Sequence, residues 1–224
     1  MPRLCLILFG SPGSGKGTQA KLLKESLRVA HISTGDMLRE RVASGDEVGR
    51  SVAAMMQAGE LVPDETVNRL VEERIDQPDS ANGFILDGYP RTVQQAKLLA
   101  ELLVLRPIRS SVVHLVVDYN VITARISGRR QCPACGLLYG VTSNKPRTPG
   151  ICDKDGTKLV VRDDDREDVV RERLRNYEQQ TAPVLAFFKK SGIPCWDVAA
   201  GDVAPQVIAK EIEGLIRKER GEAA

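Results

Sequence analysis

The sequence has little net charge and few aromatic side chains. Its 32 lysines and arginines against 30 aspartates and glutamates leave a formal charge of +2, and aromatic residues make up 4%. Proteins that coat nucleic acid usually carry a clear basic excess and stack bases on aromatic rings. The composition therefore does not favour a nucleic-acid-binding protein.

Cysteines and long apolar runs are also scarce. Five unevenly spaced cysteines are too few for a disulfide scaffold. No apolar run has the length that a membrane-spanning helix needs, and the first residues, MPRL, suit the start of a short strand rather than a signal peptide. We therefore expect a cytoplasmic protein with no membrane partner.

What is present is typical of a globular α/β protein. The 224 residues are 42% hydrophobic, enough for one domain that carries insertions. Short apolar runs alternate with amphipathic stretches, which predicts an open parallel sheet with helices on both faces. The apolar runs are 4–9, 83–86, 112–117 and 193–198, and the amphipathic stretches are 18–27, 92–103, 169–189 and 205–218.

Two segments interrupt this alternation. Residues 35–64 have helix-like sequence and no convincing strand, which indicates a helical insertion. Residues 128–165 are rich in glycine and proline and contain three of the cysteines, which indicates a small β-rich module. The core is then expected to comprise residues 1–34, 65–127 and 166–224.

A glycine-rich loop separates the first apolar run from the first amphipathic stretch. Between a strand and a helix, such a loop turns backbone N–H groups toward a phosphate, and the helix N-terminus adds its dipole. A lysine at its end supplies a mobile charge for the outer phosphates. The common pattern places Ser or Thr directly after the lysine, whereas here Gly17 intervenes before Thr18. The loop predicts a triphosphate site formed by Gly13, Ser14, Gly15, Lys16, Gly17 and Thr18.

The three clustered cysteines form a second pattern. Cys132 and Cys135 are separated by two residues, and after sixteen more residues Cys152 and Asp155 repeat that spacing. Two turns that each present a pair of ligands are the usual way in which a loop-rich module surrounds a tetrahedral ion. Asp153 is a competing carboxylate with poorer spacing, and iron or cobalt could replace zinc.

Five blocks together resemble the bacterial adenylate kinases. They are GSPGSGKGTQA at 10–20, ISTGDMLR at 32–39, DGYPRT at 87–92, GRR at 128–130 and RDDD at 162–165. The resemblance implies a P-loop NTPase-type open sheet, a helical insertion that binds a nucleoside monophosphate, and a mobile zinc-bearing lid. It also implies the reaction MgATP + AMP ⇌ 2 ADP, with Mg²⁺ and structural Zn²⁺ as cofactors.

Phosphoryl transfer between two anionic nucleotides needs cations more than it needs a general base. We therefore assign charge neutralisation to Lys16, Arg91, Arg129, Arg162 and Arg173. By resemblance, the glycine loop binds ATP together with Arg125, Arg129, Leu138, Tyr139 and Val203. The family's AMP site falls on Thr34, Arg39, Glu60, Leu61, Val62, Gly88, Tyr89, Pro90, Arg91, Gln95, Arg162 and Arg173. Asp87 matches the position that holds magnesium through water, while His31 and His114 are expected to be structural.

Two alternatives remain. One is a kinase of the same type that accepts UMP or CMP, and Thr34 and Gln95 speak against it by resemblance. The other is a P-loop ATPase that binds nucleic acid through a zinc ribbon, which the near-neutral charge disfavours. The leading hypothesis is a monomeric adenylate kinase whose partners are the small molecules ATP, AMP and ADP.

Overall fold

The computed structural model describes residues 3–106, 108–141, 144–219 and 221. Its strands are β1 Arg3–Phe9, β2 Ala30–Ser33, β3 Gly83–Asp87, β4 Ile108–Val116, β5 Arg129–Gln131, β6 Leu138–Gly140 and β7 Cys195–Ala199. Its α-helices are α1 Lys16–Leu27, α2 Thr34–Ser44, α3 Glu47–Ala58, α4 Asp64–Ile75, α5 Val93–Leu105, α6 Tyr119–Ser127, α7 Glu167–Asn176, α8 Ala182–Lys190 and α9 Pro205–Glu219. In the described part of the chain, no helix is both long and apolar enough to cross a membrane.

Five strands form a parallel sheet in the order β2-β3-β1-β4-β7. Strand β1 is central, and its side chains pack on both faces. Cys5, Ile7 and Phe9 belong to one apolar cluster, whereas Leu6 and Leu8 belong to another on the opposite face. Successive side chains of a strand point to opposite faces, so a continuous apolar run is the pattern of a strand covered on both sides. The predicted α/β fold class is confirmed.

The sheet brings several loops to one edge. β1 lies between β3 and β4, and the chain leaves these three parallel strands at the same end of the sheet. Ligands of open α/β sheets bind outside the carboxyl ends of the strands, where the strand order reverses. The glycine loop after β1 and Asp87 at the end of β3 both lie there.

Residues 35–64 form a helical hairpin beside the sheet. α2 begins one residue before the predicted insertion, and α3 packs against it. Ser33 caps α2 by accepting a hydrogen bond from Asp36 N, and Asp46 caps α3 in the same way from Gly49 N. Short polar side chains therefore start both helices.

Residues 128–165 form a separate, loop-rich module. β5 and β6 pair antiparallel, and the chain returns through the bridges Gln131↔Val160 and Ile151↔Lys158. Its apolar cluster of buried residues consists of Cys132, Tyr139, Cys152 and Leu159. Four side chains are a very small core, so the module needs a further source of stability.

The stretch 169–189 differs from a single regular helix. α7 and α8 are joined by a π-helical turn, Tyr177–Thr181. Pro183, in the first turn of α8, cannot donate a backbone hydrogen bond, which favours such a local irregularity. The turn packs Tyr177 near Phe9 and lets the Thr181 hydroxyl donate to the Arg91 carbonyl at 2.9 Å.

The close contact of α2 with α3 yields a test. A Cβ at Gly49 would lie 1.9 Å from the carbonyl oxygen of Arg41, which belongs to backbone and cannot swing away. We expect Gly49→Ala to reduce the free energy of unfolding by about 1–3 kcal/mol despite alanine's better helix propensity. Gly214→Ala in α9, where a Cβ meets open space, should instead stabilise by about 0.5–1 kcal/mol. Denaturant unfolding measures both, and equal effects of the two changes would contradict the packing argument.

Candidate active site

A cleft of about 980 Å³ lies at the carboxyl edge of the sheet. The predicted residues that line it are Gly13, Gly15, Lys16, Gly17, Thr18, Arg39, Leu61, Asp87, Gly88, Tyr89, Pro90, Arg91, Arg125, Arg129, Leu138, Tyr139, Arg162, Arg173 and Val203. The cleft therefore contains residues of both predicted nucleotide sites, together with the lysine and the arginines predicted to neutralise charge. Ser14, Thr34, Glu60, Val62 and Gln95 are not part of its lining.

The glycine loop has a backbone that other residues could not adopt without strain. Gly13 and Gly15 have φ angles of +82° and +100°. A Cβ at Gly13 would also lie 2.8 Å from the Ile126 side chain. The loop leads into α1, whose N-terminus has no side-chain cap and no acidic residue in its first turn. Free N–H groups and the helix dipole make this end a site for an anion such as phosphate.

Lys16 spans the glycine loop. Its Nζ donates to the carbonyl oxygens of Gly10 at 2.7 Å and Ser11 at 2.9 Å. Burial lowers the pKa of Lys16 to about 8, and the nearby carboxylate of Asp87 opposes this effect. The ammonium group is thus held over the loop with its charge only partly compensated.

Asp87 lies at the floor of the cleft, next to the glycine loop. A Cβ at Gly17 would lie 3.2 Å from Asp87 Oδ2, so the glycine that precedes Thr18 leaves the carboxylate room. His31 Nε2 lies 3.3 Å from the same oxygen and also lines the cleft. We predicted a structural role for His31, and its contact with Asp87 arises because β2 pairs with β3.

The arginines converge in the middle of the cleft, where burial and mutual repulsion act on them. Burial first, and then Arg173, lowers the pKa of Arg91 to about 10. Burial first, and then Arg39, lowers the pKa of Arg162 to about 10. Guanidinium groups stay protonated at neutral pH even so. The cluster therefore presents several cationic forks to one volume.

Two carboxylates hold this cluster, and the sequence did not assign them a role. Arg129 Nε donates to Asp165 Oδ2 at 2.7 Å and its Nη2 to Oδ1, a bidentate pair, and the Asp165 side chain is fully buried. Arg173 donates to Asp164 Oδ2 at 2.9 Å, and Arg39 lies 3.6 Å from the same oxygen. The signal available was the run of three aspartates directly after Arg162.

Gln95, which we predicted to belong to the AMP site, makes contacts with protein groups in this structure. This side chain is buried, and it lies behind the Gly88–Arg91 loop rather than in the cleft. Its Nε2 donates to Asp64 Oδ1 at 2.8 Å, and its Oε1 accepts from Arg91 N at 2.7 Å. With both ends of its amide engaged by protein, Gln95 in this conformation fixes the loop.

Among the other residues predicted at the monophosphate side, Thr34 and Val62 are buried, whereas Glu60 and Leu61 lie at the surface. Thr34 is buried, and its hydroxyl donates to the Gly88 carbonyl at 2.8 Å. Of the segment 60–62, Leu61 faces the cleft, Val62 is buried in the core and Glu60 is exposed. Thr34, like Gln95, therefore contributes by fixing the loop.

At the opposite end, the core meets the 128–165 module. Arg125 donates to the carbonyl of Gly201, in the loop after β7, and to that of Ser14 at 3.4 Å. Lys21, which we did not predict, donates from α1 to the Gly136 carbonyl of the module at 3.2 Å. Val203 lines this end with an apolar side chain.

Cys132, Cys135, Cys152 and Asp155 form a candidate metal centre. Their ligand atoms all lie within 4.8 Å of one another. Cys135 Sγ is 3.5 Å from Cys152 Sγ, and Cys132 Sγ is 3.3 Å from Asp155 Oδ2. Four ligands about 2.0–2.3 Å from a tetrahedral zinc ion stand roughly 3.5–3.8 Å apart, so the set fits such an ion. Asp153 lies outside the set and accepts from Arg147 N at 2.8 Å.

A phosphate-binding loop on an open parallel sheet, facing a cluster of arginines, defines a P-loop phosphotransferase. A family model described as "Adenylate kinase" matches residues 8–193. The chain belongs to the adenylate kinase family. It is accordingly an enzyme that transfers a phosphoryl group between ATP and AMP, as the sequence predicted.

Several curated relatives are similar over most of their length. An adenylate kinase from Anaeromyxobacter sp. (strain K) is 48% identical over 84% of this chain and 89% of its own. One from Archaeoglobus fulgidus is 46% identical over 95% and 98%. One from Chloroherpeton thalassium is 45% identical over 94% and 97%. The likeness therefore extends across most of the chain, including both inserted segments.

Proposed function

We propose that this chain catalyses MgATP + AMP ⇌ 2 ADP, with ATP on the glycine-loop side of the cleft and AMP on the Gly88–Arg91 side. The observation that carries the assignment is the cationic cluster between these two sides. A coupled assay with ATP against AMP, CMP, UMP and GMP tests the acceptor. Strong preference for UMP or CMP would contradict it.

On the ATP side, the uncapped N-terminus of α1 and Lys16 hold the phosphate chain. Lys16 exchanges its two loop carbonyls for phosphate oxygens, which are stronger partners because they are charged. Arg125 braces the loop against the Gly201 segment. Leu138, Tyr139 and Val203 cover the base end.

On the AMP side, Gly88 and Arg91 form the surface that faces the acceptor phosphate. Gln95 and Thr34 hold this loop from behind through the Arg91 N–H and the Gly88 carbonyl. A loop whose backbone is fixed on both sides presents Arg91 in one orientation. Preorganised donors of this kind contribute more than mobile ones, because they need no reorganisation at the moment of reaction.

The acceptor phosphate of AMP is already a nucleophile, so the transfer needs alignment and charge neutralisation rather than a general base. Arg91, Arg129, Arg162 and Arg173 converge where the two phosphate chains meet. Their planar forks bind phosphate oxygens in bidentate fashion. As the phosphoryl group moves, the charge on its equatorial oxygens stays within reach of several guanidinium groups.

Asp87 would hold Mg²⁺ through water, given its place at the end of β3 beside Gly17 and Thr18. Bound there, Mg²⁺ would neutralise part of the charge on the phosphates. Since both halves of the cleft come from one chain, we further propose that the protein acts as a monomer. We place it in the cytoplasm.

We propose that zinc fills the Cys132–Cys135–Cys152–Asp155 set and that its role is structural. Three thiolates and one carboxylate are a ligand set that suits zinc. The protein supplies all four ligands of the set. None of these four residues lines the cleft. The module has little apolar core, so metal binding would supply part of its folding free energy.

Replacing Arg91 tests charge neutralisation. We expect Arg91→Ala to lower kcat by about 10³-fold while the fold is retained, because the side chain faces the cleft. Arg171→Ala, on the exposed face of α7, is the matched control and should leave turnover unchanged. Steady-state kinetics measures both, and a folded Arg91→Ala enzyme with near-wild-type turnover would remove Arg91 from the mechanism.

The lowered pKa of Lys16 predicts proton uptake on ATP binding. In the free enzyme the ammonium loses its proton around pH 8, whereas bound phosphates raise its pKa. The affinity for a non-hydrolysable ATP analogue should therefore fall between pH 7 and 9, approaching tenfold per pH unit above pH 8. Calorimetry at pH 8.5 in two buffers of different ionisation enthalpy reports the uptake. Lys16→Arg should abolish it, and undiminished uptake in that variant would refute the assignment.

Removing two sulfur ligands separates the metal from the chemistry. Cys132→Ser with Cys135→Ser should abolish bound zinc and lower the melting temperature, with substantial activity left at low temperature. Cys195→Ser, in the sheet, should keep the metal. Elemental analysis, calorimetry and kinetics measure these effects. A metal-free wild-type protein of equal stability would defeat the structural assignment.

A further inference from the structure

Tyr139 connects the metal-binding set to the cleft. It lies in the middle of β6, and its ring is buried among Cys132, Cys152 and Leu159. Tyr139 also belongs to the lining of the cleft. The side chain therefore reaches from the strand that borders the nucleotides to the turn that presents metal ligands.

The Tyr139 hydroxyl has two partners within hydrogen-bond range. Asp153 N–H donates to the hydroxyl oxygen at 2.8 Å. The Cys152 Sγ lies 3.6 Å from the same oxygen, within the longer range of hydrogen bonds to sulfur. A phenol oxygen that accepts from a backbone N–H keeps its own proton to donate. The sulfur is the partner to which this proton can be donated, and a metal-bound Cys152, which has no proton of its own, can only accept it.

We propose that Tyr139 is a positioning residue for the metal centre, whose hydroxyl donates to the Cys152 thiolate and fixes the turn 152–155. The inference rests on the proposed metal site. Outer hydrogen bonds of this kind orient metal ligands and tune their electron donation.

The same bond restrains the module as a whole. β6 and the turn 152–155 are joined by the Tyr139 side chain at two atoms, the sulfur and the Asp153 amide. The turn is held independently by Cys152 N, which donates to the Thr157 carbonyl at 2.8 Å. Loss of the hydroxyl should therefore weaken metal binding without unfolding the turn 152–155.

Tyr139→Phe removes the hydroxyl and keeps the buried ring. We expect its zinc affinity to fall about 10–100-fold in competition with a chromophoric chelator. In the cobalt-loaded protein, the sulfur-to-cobalt charge-transfer band should move to lower energy, because a thiolate that loses a hydrogen bond donates electrons more readily. Tyr119→Phe, at an exposed tyrosine, is the control and should change neither quantity.

A second measurement covers the case in which Tyr139→Phe fails to fold. Protein labelled throughout with 3-fluorotyrosine keeps every ring and hydroxyl but has a stronger donor at Tyr139. At neutral pH its cobalt charge-transfer band should move to higher energy, opposite to Tyr139→Phe. A shift due only to altered packing would not reverse its sign with donor strength.

The outcomes separate this inference from the proposal on which it rests. A wild-type protein that takes up no zinc or cobalt defeats the metal site itself. A wild-type protein that binds metal, beside a Tyr139→Phe variant with unchanged affinity and an unchanged band, overturns the role of Tyr139 alone. An unchanged band in the fluorotyrosine protein overturns it as well.

Discussion

The concentration of positive charge in one cleft is the constraint on which this structure depends. Phosphoryl transfer between two anionic chains requires several guanidinium groups within reach of one phosphate. Burying such groups together is unfavourable unless each has a counter-charge. Asp164 and Asp165 supply that charge, and Asp165 does so while fully buried. The acidic pair thus maintains a cationic cleft that is ready for phosphates before they bind.

The parallel sheet determines where the residues of the cleft lie. Central strand β1 ends in the glycine loop, and β3 ends beside it in Asp87. Both inserted segments reach this edge, the helical hairpin through Arg39 and the 128–165 module through Arg129. Residues that line the cleft therefore come from the core and from both insertions, while the sheet that aligns them stays apolar and closely packed.

The 128–165 module has the least apolar core with which to stabilise itself. Its antiparallel strands are three residues each, and its buried cluster includes two of the cysteines. Metal ligation and the Tyr139 hydrogen bonds would then supply the stability that a larger apolar core provides in other domains. A small module stabilised in this way contacts α1 through the hydrogen bond from Lys21 to Gly136.

The sequence by itself determined the features that depend on local backbone and spacing. The glycine loop between β1 and α1 has positive φ angles at Gly13 and Gly15, which glycine adopts without strain because it has no Cβ. The alternation of apolar runs with amphipathic stretches predicted the α/β class, because a parallel strand covered on both faces is apolar along nearly all of its length. The paired ligand spacing likewise predicted the cluster at Cys132–Asp155.

Tertiary structure alone decided which side chains face the cleft and which support it. Gln95 turns toward Asp64, 31 positions away, and His31 reaches Asp87 only because β2 lies beside β3. The partners of Arg129 and Arg173 were equally undetermined. A side chain's hydrogen-bond partner depends on which helices and strands become neighbours. The local sequence of a segment does not predict the order of the strands in the sheet. Long-range packing therefore assigned these roles, since each polar group in the interior must find its hydrogen bond there.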